Sequence, residues 1–121
     1  MPWEFRTDLP IYTQLIAQLQ QQLVTGQRKP GERLPSVRDL AAQAGVNPNT
    51  MQRALTELER LGLVHSQRTA GRFVTEDEAV IQALREELAR TRIRDFLAGM
   101  AQLGFPLEES LRLIQTEGEN L

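Results

Sequence analysis

Asn49, Gln52 and Arg53 stand within five residues of one another, and their side chains are of the kind that read base pairs. An Asn or Gln amide pairs bidentately with adenine and an Arg guanidinium with guanine, each such pair giving about 1–3 kcal/mol of discrimination. Such groups act together only when one rigid element presents them. Met51, Ala54, Leu55, Leu58 and Leu61 recur at helical spacing. A helix that carries this stripe inward turns Asn49, Gln52, Arg53, Thr56 and Arg60 outward. The first three fall in its opening two turns, within reach of base edges, whereas Arg60 lies too far along and is left to backbone or solvent. Asn47 caps the helix and Pro48 takes its first position. Asn47 and Thr50, beside the free N–H groups of that end, suit a phosphate. Asn47 serves equally well as a cap alone, and a polar face opposite an apolar stripe is also what a merely solvated helix shows.

The neighbouring segments supply the frame. Ser36 caps a short preceding helix with Asp39 three residues on, Val37, Leu40, Ala41 and Ala44 form its stripe, and Gly45 ends it. Only Gly45-Val46-Asn47 separates it from the helix at Asn47, which is the helix-turn-helix pattern. At its start Ser36 and Arg38 join the expected DNA-contacting set, although Arg38 pairs equally well with Asp39. Upstream, Tyr12, Leu15, Ile16, Leu19 and Leu23 mark another helix, stopped at Gly26 and followed by a turn at Lys29-Pro30-Gly31. Residues 1–10 read as an irregular arm. Downstream, Leu63–Ser66 and Arg72–Thr75 read as two short strands with Gln67–Gly71 as the tip. A hairpin directly after a helix-turn-helix is a wing. Its Arg68 and Arg72 either enter a minor groove or keep an exposed hairpin soluble.

Charge divides along the chain. Residues 1–75 hold nine Lys or Arg against six Asp or Glu, a net +3; residues 76–121 hold five against ten, a net −5. The front half is the part suited to phosphate. The 121 residues include no cysteine and one histidine, His65, which leaves no metal cluster of usual ligand spacing. No phosphate-loop or dinucleotide glycine pattern occurs, and no acid–base pair stands out, so the chain is not expected to be an enzyme or to need a cofactor. No apolar run approaches a membrane span and the first ten residues lack a secretory apolar core, so a cytoplasmic location is expected.

From Glu76 the pattern is helical again. Val80, Ile81, Leu84 and Leu88 form one stripe; Ile93, Phe96, Leu97, Met100 and Leu103 form a second, out of phase with the first. The phase change predicts a bend or two helices near Arg90–Arg92. After Gly104, Pro106 opens a last helix with Leu107, Leu111 and Ile114 on one face. These apolar rows exceed what one small winged domain needs to bury, and Ile81, Leu84, Leu88, Ile93, Phe96, Leu97, Met100, Leu107, Leu111 and Ile114 are assigned to dimerisation.

The runs Leu34-Pro35-Ser36-Val37-Arg38-Asp39-Leu40-Ala41, Gly45-Val46-Asn47-Pro48-Asn49-Thr50-Met51-Gln52-Arg53-Ala54 and Leu58-Glu59-Arg60-Leu61-Gly62-Leu63-Val64 closely resemble the GntR family of bacterial regulators. Pro10-Ile11-Tyr12-Thr13-Gln14-Leu15 matches that family's first helix, and the likeness covers about residues 9–75. The Val46–Thr50 variant and the short C-terminal region resemble the YtrA subfamily. The resemblance implies a mainly α winged helix-turn-helix domain over 1–75 and a short helical dimerisation region over 76–121. It carries the family's DNA-contacting positions onto Arg38, Asn47, Asn49, Thr50 and Gln52; Arg53 rests on the helical-face argument. Pro48 and Gln52 stand where many relatives have basic residues, and the tip Arg68-Thr69-Ala70-Gly71 is less glycine-rich than is usual there.

Together these readings point to a homodimer that occupies a pseudo-palindromic stretch of double-stranded operator DNA, by default as a repressor. The presence of a small-molecule effector is left open. A winged-helix protein-docking module would show apolar or aromatic anchors where Asn49, Gln52 and Arg53 stand. A nonspecific architectural binder would be more basic and carry apolar wedges.

Overall fold

The computed structural model describes residues 3–121; Met1 and Pro2, at the start of the expected arm, lie outside the described residues. The elements are α1 (Ile11–Val24), α2 (Val37–Ala44), α3 (Pro48–Arg60), β1 (Val64–Gln67), β2 (Gly71–Val74), α4 (Glu78–Gln102) and α5 (Leu107–Glu119). The chain divides into two compact units, Met1–Leu84 and Arg85–Leu121, so α4 begins in one and ends in the other.

Local chemistry sets the helix ends in the first unit. The Ser36 hydroxyl accepts from the Asp39 N–H at 3.1 Å and the Asn47 side chain from the Asn49 N–H at 2.7 Å, so both residues cap as their types require. Between them Gly45 adopts φ +71°, a left-handed turn that a Cβ would strain. It lets the chain leave α2 and start α3 within three residues. Met51, Ala54, Leu55 and Leu58 of α3 are fully buried against Leu15 and Leu19 of α1 and Leu40 and Ala41 of α2. Helix α3 therefore packs against α1, α2 and β1 while its polar face stays outside.

The wing is antiparallel, with Val64 opposite Val74, His65 opposite Phe73, Ser66 opposite Arg72 and Gln67 opposite Gly71. Its tip is the three residues 68–70. The Ala70 N–H donates to the Gln67 carbonyl at 3.1 Å and Gly71 follows at φ +106°, a backbone conformation that glycine takes without a Cβ penalty. The lead-in segment adds a third run of pairing that the sequence pattern does not reveal. The Leu34 N–H donates to the Arg72 carbonyl at 2.9 Å, the Val74 N–H to the Glu32 carbonyl at 2.8 Å, and Arg33 bridges Phe73. Val64 and Val74 turn inward to the core.

Residues 3–10 of the arm form no helix or strand, as expected of an irregular segment, yet they are held in place. Trp3 and Phe5 stack with ring centres 6.3 Å apart and pack on the core. The Gln14 amide accepts from the Arg6 N–H at 2.7 Å and donates to the Arg6 carbonyl at 2.9 Å; Gln18 makes the same pair of bonds with Glu4. Two side chains one helical turn apart thus take the place of a neighbouring strand.

Of the bend or two helices expected near Arg90–Arg92, the two-helix alternative is not what forms: α4 is one unbroken helix of 25 residues. Its two apolar stripes differ in phase because they serve different units. Ile81 is buried in the core of the first unit, with Val80 and Leu84 packed on that core. Ile81, expected in the dimer stripe, is therefore an intrachain core residue. In the second unit α4 turns back at Gly104 into α5, the Phe105 N–H closing on the Met100 carbonyl at 3.0 Å. Among the described residues of this unit only Ser110 is fully buried, whereas Ile93, Phe96, Leu107, Leu111 and Ile114 are 44–57% exposed.

Candidate nucleic-acid interface

Along α3, Asn47, Asn49, Gln52, Arg53, Thr56 and Arg60 are exposed and Thr50 is half-buried. Alternating inward and outward positions of one helix bring Asn49, Gln52 and Arg53 together, as their spacing predicts. The Thr56 hydroxyl bonds back to the Gln52 carbonyl at 2.9 Å, and the Gln52 amide lies 3.4 Å from it. Arg53 lays its guanidinium over the Tyr12 ring, 4.3 Å from the centroid. Stacking of this kind is worth about 0.5–1 kcal/mol at an exposed site. Tyr12, Gln52, Arg53, Thr56, Glu57 and Arg60 line an open groove of about 440 Å³ along this side of the helix.

The cations of this unit fall into two groups. Arg6 meets Asp8, Arg28 meets Glu32, Arg60 meets Glu57 and Arg72 meets Glu59. Among the described residues the side chains of Lys29, Arg33, Arg38, Arg53 and Arg68 meet no carboxylate, and all five residues are exposed. They sit on the lead-in segment, the first turn of α2, the outer face of α3 and the wing tip. A cation without a carboxylate partner keeps its full charge for phosphate. Arg38 does not take the Asp39 pairing that the sequence allows. Ser36 is occupied as a cap.

Arg72 is placed differently from its expected role. Its Nε donates to Glu59 Oε1 at 2.6 Å, and the side chain is only 20% exposed. The Ser66 hydroxyl donates to the same oxygen at 2.7 Å. Burial alone would raise the Glu59 pKa. The hydrogen bonds from Arg72 and Ser66, with the charges of Arg72 and His65, outweigh burial and hold the carboxyl below its ordinary value. Glu57 is lowered as well, chiefly by its hydrogen bond from Arg60, whose own pKa is raised by that bond. His65 stacks on Phe73 with ring centres 5.9 Å apart on the outer side of the wing.

Two residues escaped the sequence reading. Arg33 bridges Phe73 of β2 and reaches toward the tip, its Nε 3.3 Å from where a Cβ on Gly71 would stand. Its position depends on the long-range pairing with Phe73, for which the only local sign is the buried Leu34 beside it. Glu59 reads as one more polar residue of α3 until the wing is folded against it.

A helix-turn-helix with an attached wing, a polar face left open on its second helix and arginines without carboxylate partners around it define a DNA-binding transcription regulator. The comparisons agree with that class. The model of the gntR family of bacterial regulatory proteins matches residues 11–74. The chain is 41% identical over 113 residues to the HTH-type transcriptional regulator YhcF of Bacillus subtilis, covering 93% of each chain. It is 37% identical over 101 residues to the HTH-type transcriptional repressor YtrA of the same organism, covering 78% of each. A GntR family transcriptional regulator from Listeria monocytogenes superposes with a TM-score of 0.85 at 34% identity, over 93% of this chain and 98% of that one. The DNA-binding domain of AraR, solved in complex with operator ORX1, matches 62% of this chain and 99% of its own, with a TM-score of 0.55 at 27% identity. The chain belongs to the gntR family of regulators and is not an enzyme.

Proposed function

We propose that the protein is a homodimeric repressor that binds a pseudo-palindromic operator in the cytoplasm, through residues 1–75 and with dimerisation through residues 76–121. Asn49, Gln52 and Arg53 read bases in the major groove. Arg38, with Asn47 and Thr50 at the start of α3, takes backbone phosphates, and Arg68 at the wing tip reaches the neighbouring groove or its backbone. The observation that carries this reading is the sorting of arginines: among the described residues Arg38 on the supporting helix, Arg53 on the outer face of the reading helix and Arg68 at the wing tip lack carboxylate partners, while Arg6, Arg28, Arg60 and Arg72 have them. A polymerase blocked by an occupied operator would give repression, as the name of the YtrA relative states for that protein.

The second unit supports the dimer. A two-helix hairpin that leaves Ile93, Phe96, Leu107, Leu111 and Ile114 largely in water has apolar surface to cover. Phe96, Met100, Leu113, Ile114 and Leu121 also line an apolar groove of about 520 Å³. A two-fold copy buries such a face on both chains at once. It also spaces two reading helices for half-sites about one helical turn apart.

Selection of bound sequences from a random duplex pool, followed by titration at two salt concentrations, tests the proposal. A palindromic consensus bound on the order of 10³-fold or more over random duplex is expected, with affinity falling as salt rises. Equal affinity for consensus and random duplex would remove the sequence-specific reading. Solution mass at micromolar concentration gives the oligomeric state independently.

A further inference from the structure

We propose that Glu59 is the positioning residue of the wing: from α3 it holds the cross-strand pair Ser66–Arg72 and so fixes where Arg68 stands relative to the reading side chains. The geometry is specific. Ser66 and Arg72 face each other directly in the hairpin register. A single oxygen, Glu59 Oε1, accepts from the Ser66 hydroxyl at 2.7 Å and from Arg72 Nε at 2.6 Å. One carboxylate on the reading helix therefore grips one rung of the wing from both strands. The tip begins one residue beyond that rung: Gln67 pairs with Gly71 and Arg68 follows. Nearer the core, the Val64–Val74 rung is buried, so the wing is fixed to the domain at two successive inward rungs and free only at its tip. With its charge answered by Glu59, Arg72 is a strut rather than a phosphate contact, and Arg68 is the wing's available cation.

This rests on the reading of α3 and the wing tip as the DNA-contacting surface. The test uses the full chain and its selected operator duplex, with Glu59→Ala, Glu59→Gln, Ser66→Ala, Arg68→Ala and the double variant Glu59→Ala/Arg68→Ala. Removing a carboxylate from a DNA-facing surface ordinarily tightens binding, because it removes repulsion of phosphate. Positioning has the opposite sign. Arg68→Ala is expected to weaken binding about tenfold and to reduce the salt slope by about 1. Glu59→Ala is expected to weaken binding by a similar factor, and the double variant no further than Arg68→Ala alone, since coupled residues are non-additive. Glu59→Gln keeps an oxygen that accepts both bonds and should stay within about threefold of the parent, charge-assisted bonds being roughly twice as strong as neutral ones. Ser66→Ala removes one of the two bonds without touching the helix. It should weaken binding in the same direction even if Glu59→Ala proves too unstable to titrate.

Tighter or unchanged binding in Glu59→Ala and Ser66→Ala overturns the proposal, as does full additivity of Glu59→Ala with Arg68→Ala. An Arg68→Ala variant with parental affinity and salt slope instead removes the wing contact itself, and the positioning role with it. That outcome differs from failure of the Glu59 role alone, in which Arg68→Ala still weakens binding.

Discussion

Base readers and phosphate holders differ in what their loss does. Gln52 is exposed in the second turn of α3, so Gln52→Ala should cost about 1–3 kcal/mol against the preferred base and relax selectivity at one operator position. Arg38 carries no base-reading geometry and no carboxylate partner. Arg38→Ala should weaken consensus and random duplex alike and lower the salt slope by about 1. Titration of both variants on consensus, single-base-substituted and random duplexes separates the two roles; a Gln52→Ala loss equal on every duplex would make Gln52 a backbone contact. Much at this scale was legible in the chain. Asn47, Ser36 and Gly45 act at helix ends as their chemistry dictates, because capping is settled within four residues. The partner of Arg72 was not legible, because it lies thirteen residues away on another element.

The Glu59 carboxyl also gives the wing a defined response to acid. Its pKa in the fold is lowered, burial being outweighed by the bonds from Arg72 and Ser66. A carboxyl with a depressed folded pKa contributes stability that is fully present above its unfolded value and is lost as pH falls through the folded one. Wing docking should therefore hold unchanged through neutral and mildly acidic pH and weaken only below the ordinary glutamate range. Carboxyl-carbon titration by NMR should give Glu59 a midpoint below that of a free glutamate, returning toward it in Arg72→Ala. An ordinary midpoint in the parent protein would mean that the bonds from Arg72 and Ser66 do not persist in solution.

Among the elements, the arm shows how polar residues can hold a segment that lacks a strand partner. Gln14 and Gln18 stand one turn apart on α1, and their amides satisfy the N–H and carbonyl of Arg6 and Glu4, two residues apart on the extended arm. The type and spacing of Gln14 and Gln18 do not disclose a backbone partner in the sequence. Trp3 is the one tryptophan of the chain and packs on the core through this arm, so its fluorescence reports the arm directly. Gln14→Ala and Gln18→Ala should each shift Trp3 emission to the red and lower stability by about 1 kcal/mol, the net worth of ordinary hydrogen bonds. Unchanged emission in both variants would show that ring packing alone holds the arm. Helix α4 presents the converse problem. Its two apolar stripes were visible and their phase difference was read as a bend or two helices, yet one unbroken helix carries both, with Ile81 in the first unit and Ile93 and Phe96 in the second. Periodicity locates faces; it does not say how many bodies those faces meet.

For the whole molecule, charge and apolar surface have to be reckoned by unit. The acidic run Glu76, Asp77 and Glu78 falls in the first unit, which then holds nine basic and nine acidic residues and nets zero. On the proposed reading, attraction to DNA comes from the local placement of Arg33, Arg38, Arg53 and Arg68 rather than from net charge, and the proposed dimer would multiply it. In the proposed dimer, two linked reading domains would bind the second half-site at an effective concentration in the millimolar range, adding about 10²–10⁴ in avidity without a new contact. Phe96→Glu and Leu111→Glu place charge on residues that are 47% and 54% exposed in the single chain, so the hairpin itself should keep its helix content by circular dichroism. In a two-fold interface each substitution is met by its own copy, so a buried like-charge pair arises in addition to the desolvation cost. The solution mass should fall to that of one chain. Affinity for the full palindrome should drop on the order of 10²-fold, while affinity for an isolated half-site stays at the parental value. A variant that keeps the mass of two chains would place the interface elsewhere than on this apolar face. A monomeric variant with undiminished palindrome affinity would show that the two half-sites are bound independently, and the dimer would then have no part in operator recognition.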